Sequence, residues 1–193
     1  MIIGRPAHFW QMNNMPFCTL PDFIKIGGKD YRINTDFKIW IEISSVLSDK
    51  RLPLSQKLCH LLINGFCDSL PECMEEAVSA LLGFMNMYEK GSARHSSSEQ
   101  VFSFIKDEGL IYAAFRQQYG INLYTEALHW WEFLYLLSAL HEDTAFMRIV
   151  GYRSVDCSKI KNEEHKRFLR RMKNRYRLTE QLGDSDIAGA LTV

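Results

Sequence analysis

Three features of the sequence predict a mainly α-helical fold, a compact bundle of six to seven helices carrying a small N-terminal β-hairpin. Apolar residues recur at helical spacing through most of the chain. A short alternating stretch flanks Gly27-Gly28. The third feature is the run from Asp107 to Leu140, DEGLIYAAFRQQYGINLYTEALHWWEFLYLLSAL, which reads as two helices broken at Tyr119-Gly120. The second of these is apolar on nearly every side, interrupted only by His129, Glu132 and Ser138. Such a helix is covered by neighbours or by a membrane. It is shorter than the ~20 residues a bilayer needs and carries two ionisable residues, so neighbours are expected.

Residues 1–18 show no clean period and read as an N-terminal arm. The segment 19–178 is then expected to form a single helical domain, with a flexible linker at 91–100 (GSARHSSSEQ) and a frayed tail at 179–193. Within the domain, Phe23 to Ile33 alternates around Gly27-Gly28, a pair that supplies the positive φ of a tight hairpin turn. Asn34-Thr35-Asp36 offers cap oxygens for a first helix, buried through Phe37, Trp40, Ile41 and Leu47. Pro53 starts a second, with Leu54, Leu58, Leu61, Leu62 and Phe66 on its inner side. Ser69-Leu70-Pro71-Glu72 has the form of a capping box for a third. Its stripe is Met74, Ala77, Val78, Leu81, Leu82, Met85 and Tyr88, and Gly91 is its stop. Asp107 caps the fourth helix, Gly120 ends it, and Thr125 caps the apolar one. A short helix around Ala145 to Val150 ends at Gly151-Tyr152-Arg153. A basic helix from Glu163 to Tyr176 closes the order, docked through Phe168, Leu169, Met172 and Tyr176.

Lys and Arg balance Asp and Glu at 23 each, so the net charge is zero. That removes any whole-protein attraction to nucleic acid or membrane. The balance hides an asymmetry: Lys159 to Arg177 holds nine Lys or Arg against Glu163 and Glu164, and the rest of the chain is correspondingly acidic. Five cysteines (Cys18, Cys59, Cys67, Cys73, Cys157) form an odd set without a CxxC pair, and no secretory pattern opens the chain. Free thiols in a reducing cytoplasm are expected.

Patterns that carry chemistry are sparse, and neither an enzymatic activity nor a cofactor is expected. There is no GxSxG, no HExxH and no dinucleotide fingerprint. Gly27-Gly28-Lys29 lacks the spacing of a phosphate loop. Glu126-x-x-His129 lacks the second such pair a di-iron bundle uses. Cys59, Cys67 and Cys73 with His60 match no common zinc spacing. His141 with Asp143 has no nucleophile to serve. Trp130-Trp131 could offer stacking surfaces, but neighbours on a helix point about 100° apart, and core packing is the expectation. The basic helix is the most exposed functional feature. It suits the molecule's own acidic surface or an acidic protein better than nucleic acid, because no stacking residues interleave on its exposed side.

Three stretches together resemble a known family. They are Ile33-Asn34-Thr35-Asp36-Phe37 with Trp40; Leu110-Ile111-Tyr112-Ala113-Ala114-Phe115 through Gln118-Tyr119-Gly120-Ile121 to Leu128-His129-Trp130-Trp131; and Gly151-Tyr152-Arg153 leading to Ser158-Lys159-Ile160-Lys161. In this order they resemble the bacteriophage gene-product-fifteen family of siphophages and prophages, over roughly Leu20 to Leu178. The resemblance implies a tail-morphogenesis factor in the host cell cytoplasm. It points to a tail assembly chaperone that binds the tape-measure protein before the tube polymerises. It implies no catalytic, cofactor or metal residues. The expected partners are the tape-measure protein, other tail proteins and further copies of the chain, with no membrane. The expected contact residues are Tyr152, Arg153, Arg167, Arg170 and Arg171, since Tyr and Arg are favoured at interfaces. A structural tail component or terminator retained in the virion is the alternative, and nucleic-acid binding through the basic helix comes third.

Overall fold

The computed structural model describes residues 19–87 and 101–178. The arm at 1–18, the linker at 91–100, its expected helix stop at Gly91 and the tail at 179–193 lie outside the described residues. Among them are seven α-helices and one antiparallel hairpin, a mainly α fold as the periodicity predicts. The chain gathers into two compact units, one of residues up to Tyr88 with Leu128–Glu132, the other of Glu89–Ala127 with Phe133 onward.

In the first unit, β1 (Phe23–Ile26) and β2 (Lys29–Arg32) pair with Ile24 opposite Tyr31 and Ile26 opposite Lys29. Gly27 and Gly28 both have positive φ, 56° and 83°, as a two-residue hairpin turn demands. Alternation buries Ile24 and Ile26 and leaves Phe23 and Lys25 exposed. Helix α1 (Phe37–Ser48) is capped by Asp36, whose carboxylate accepts from the Lys38 N–H at 2.9 Å. Helix α2 (Leu54–Gly65) follows Pro53. Helix α3 (Met74–Met85) begins two residues beyond the expected capping box, with its N-cap four residues after Ser69. The side chain of Pro71 is fully buried, and Cys73 takes the N-cap position in an extended conformation. Its C-cap is Asn86. Leu54 and Met74, both expected inside, are exposed.

The centre of this unit is Phe84, which is fully buried and absent from the expected stripe. It packs on Trp40 at 4.9 Å and on Trp131 at 5.4 Å between ring centroids. The indole N–H of Trp131 donates to the Phe84 carbonyl and that of Trp130 to the Met85 carbonyl, each at 2.9 Å. These carbonyls belong to the last turn of α3, where a helix leaves acceptors without intrahelical donors. The paired tryptophans are therefore core residues that also close a helix end.

Helix α5 (Trp130–Ser138) starts five residues later than Thr125. The cause is local pairing. The Phe37 N–H donates to the Leu128 carbonyl and the Trp130 N–H to the Thr35 carbonyl, which holds residues 128–130 extended. Before it, Asn122 organises a closed turn, its backbone N–H taken by the Glu126 carboxylate at 2.8 Å and its side-chain oxygen by the Tyr124 N–H.

In the second unit, α4 (Glu108–Tyr119) ends at Gly120, whose φ of 74° is the left-handed conformation of a helix stop. Phe115 stacks on Phe133 at 5.3 Å, and Phe104 lies 6.0 Å from the same ring. The Tyr119 hydroxyl donates to the Leu136 carbonyl, and burial raises its pKa above the usual phenol value. Tyr135, expected inside, is 53 % exposed. Helix α6 (Ala145–Ser154), capped by Thr144, runs straight through Gly151 rather than stopping there. A 3₁₀ turn at Cys157–Lys159 leads to α7 (Glu163–Arg175), the expected basic helix, capped by the Asn162 side chain on the His165 N–H.

Candidate partner-binding face

Helix α7 docks through one narrow edge. Leu169 is buried, Met172 and Tyr176 are half-buried, and Glu163, Glu164, Arg167, Arg170, Arg171 and Arg175 are all exposed. The sequence arranges this simply, since 169, 172 and 176 fall on one side at helical spacing and the arginines on the other. Two glutamates in its first turn and Lys173 with Arg175 in its last suit the helix dipole.

Phe168, expected to dock the helix, stands at its margin, 38 % exposed. It is framed rather than covered. The His165 ring stacks on it at 6.4 Å, the Arg171 guanidinium lies 6.0 Å from its centroid, and Tyr152 meets it edge-on at 6.3 Å. Arg175 sits similarly, 5.9 Å from the Tyr176 ring. Asn162, Glu164, His165, Arg167, Phe168 and Arg171 line a shallow, open concavity along the helix. Such an arrangement offers an aromatic surface within a rim of guanidinium donors, suited to an apolar residue flanked by carboxylates. Phe168 and His165 were the residues that sequence reasoning missed. The available signal was angular: 168 lies well round the helix from the direction shared by 169 and 176.

Of the five expected contact residues, Arg167, Arg170 and Arg171 share this exposed face. Among the described residues none of the three makes an ion pair with the chain's own carboxylates. Within the basic helix, Lys166 pairs with Glu163 one turn away. Tyr152 is half-buried beneath the face, stacked on Tyr176 at 6.0 Å. Arg153 does not belong to the face. It is 9 % exposed, and its guanidinium grips the Asp107 carboxylate with two hydrogen bonds of 2.7 and 3.0 Å. It also donates to the carbonyls of Val101 and Tyr176. Asp107 occupies the N-cap position of α4 but spends its carboxylate on Arg153 and on the Ser103 N–H. Arg153 therefore has little to present to a partner, because four of its five guanidinium donors are engaged inside.

The other candidates resolve into local roles. His129 is half-buried between the Pro21 carbonyl and the Trp131 N–H. His60 lies beside Asn64 and 3.5 Å from Glu42. Cys59, Cys67 and Cys73 are exposed, and no group of three or more His, Cys, Asp or Glu among the described residues is arranged to hold a metal ion. No helix among the described residues is long and apolar enough to cross a membrane.

A family model for the bacteriophage Gp15 protein matches residues 19–178. The chain belongs to this phage family. The match spans the hairpin and the seven helices of the described residues, so the Gp15 region takes in elements of both units. No curated protein and no solved structure matches the chain.

Proposed function

We propose that this Gp15-family protein is a phage tail assembly chaperone, acting in the host cytoplasm and holding acidic, partly apolar helices of the tape-measure protein before tube polymerisation. One observation carries the reading: α7 presents Phe168 beside Arg167 and Arg171, and neither these nor the exposed Arg170 makes an ion pair among the described residues. Exposed aromatic and arginine side chains are the commonest energetic anchors of protein interfaces. A holding protein needs contacts that form without a large hydrophobic commitment, and charge-rimmed aromatic contacts are of that kind. The role is one of binding, with no reaction and no cofactor.

Co-expression provides the test. The soluble yield of the tape-measure protein should rise when this chain is present and fall back when Arg167, Arg170 and Arg171 are all changed to Glu. Unchanged yield with the native chain would sink the proposal. Mass spectrometry of purified particles should find the chain absent, and stoichiometric recovery would instead assign it to the finished tail.

A further inference from the structure

We propose that the basic face of α7 on one copy docks, head to tail, on the acidic segment Asp68–Glu76 of a second copy. This reuses the arginines assigned above to tape-measure binding but does not depend on that assignment.

The two surfaces match in charge and in apolar content. The segment DSLPECMEE carries four carboxylates, Asp68, Glu72, Glu75 and Glu76, and no Lys or Arg. All four are exposed, and none makes an ion pair among the described residues. Between them stand Leu70 and Met74, 46 % and 47 % exposed, on a stretch pinned by the fully buried Pro71. Helix α7 holds six Lys or Arg against two Glu, and Phe168 stands exposed at its margin. An apolar side chain flanked by carboxylates is what the arginine-rimmed ring is suited to receive. The chain carries both halves of such a contact.

Other occupants fit less well. Antiparallel pairing of two α7 helices would gather Arg167, Arg170 and Arg171 of both copies at its centre, and like charges repel. A nucleic-acid backbone would supply anionic charge but no apolar side chain to set against Phe168, whereas the acidic segment supplies Leu70 and Met74. A helix face against a nine-residue segment makes a small interface, so the association is weak and falls with salt. Its two sides differ, so it is heterologous and builds rings or open chains rather than a closed pair.

Charge exchange tests this on the purified full chain, with no other protein present. Sedimentation velocity at low salt should show native protein larger than its 22.5 kDa monomer, returning to monomer at high salt. One variant carries Arg167→Glu, Arg170→Glu and Arg171→Glu; the other carries Glu72→Lys, Glu75→Lys and Glu76→Lys. Each alone should sediment as monomer with native circular dichroism, and an equal mixture should regain the larger species. A native chain that stays monomeric at low salt overturns the proposal. So does a mixture that stays monomeric, which would place the contact elsewhere. Self-association lost on reversing α7 but kept on reversing the acidic segment would assign α7–α7 pairing instead. A monomer that shifts on duplex DNA at low salt would assign the face to nucleic acid.

Discussion

Arg153 and Arg170 carry the same side chain and do opposite things. Arg170 is exposed on α7, whereas Arg153 is buried with Asp107, itself 3 % exposed. Removing one partner of a buried pair leaves the other charge uncompensated, which costs ~3–5 kcal/mol. Arg153→Ala should therefore lower the unfolding free energy from urea titration by that amount, while Arg170→Ala stays within about 0.5 kcal/mol, as surface changes do. Arg153→Lys should rescue little, since a point charge cannot fork onto both carboxylate oxygens. His129 makes a second prediction at this scale. The Trp131 N–H can only donate, so Nδ1 accepts, Nε2 carries the proton, and the neutral ring is the one that fits. Burial lowers its pKa below the ordinary 6.5, outweighing the Pro21 carbonyl, Glu132 and Asp22, which pull upward. The unfolded chain then binds this proton more readily than the folded one. Stability from His129 is full above about pH 6.5 and is lost as pH falls through that value toward the folded pKa. Thermal melts should show the slope in the native chain, and His129→Asn, which keeps an acceptor for the Trp131 N–H, should flatten it. Neither role was legible beforehand. Tyr152-Arg153 could be marked as interfacial by residue type, but nothing local says that Arg153 turns inward to a carboxylate 46 residues earlier.

At the scale of elements, Gly65 shows how an ordinary helical position can be closed to other residues. It ends α2 against α3, and a Cβ there would lie 2.7 and 2.9 Å from the Leu81 methyls. Leu81 is fully buried and has little room to yield. Gly65→Ala gains helix propensity of up to ~1 kcal/mol but overpacks the core, a cost of ~1–3 kcal/mol. The melting temperature should fall, and adding Leu81→Val should recover part of the loss. Elements were legible where their signals are local: the Gly27-Gly28 turn, the Pro53 start, the Gly120 stop and the span of α7 all follow from nearby residues. The start of α5 was not, because the backbone of Thr35 to Phe37 claims Leu128 to Trp130, and no periodicity records a partner so distant in sequence. Phe84 was missed for a related reason. It shares the Ala77–Leu81 face at helical spacing, but what makes it the centre is the cover of the Trp40 and Trp131 rings, which arrive from other parts of the chain.

For the whole molecule, the mainly α class was legible because helical periodicity survives any arrangement of the helices. The candidate face was legible in part. Charge clustering pointed to Arg167, Arg170 and Arg171, but exposure had to be seen before Phe168 could join them. A net charge of zero concealed both the basic helix and the acidic stretch at Asp68–Glu76, and the salt dependence of sedimentation is where their separation should appear. One further consequence concerns synthesis. The first unit is assembled from residues up to Tyr88 together with Leu128–Glu132, which bring the Trp131 ring onto Phe84. A ribosome adding ~5–20 residues per second needs roughly 2–8 s to pass from Tyr88 to Leu128. Through that interval the nascent chain holds Phe84 without the Trp131 ring and the Phe84 and Met85 carbonyls without their indole donors. A protein proposed to shield apolar segments of another chain is itself made with one briefly unshielded.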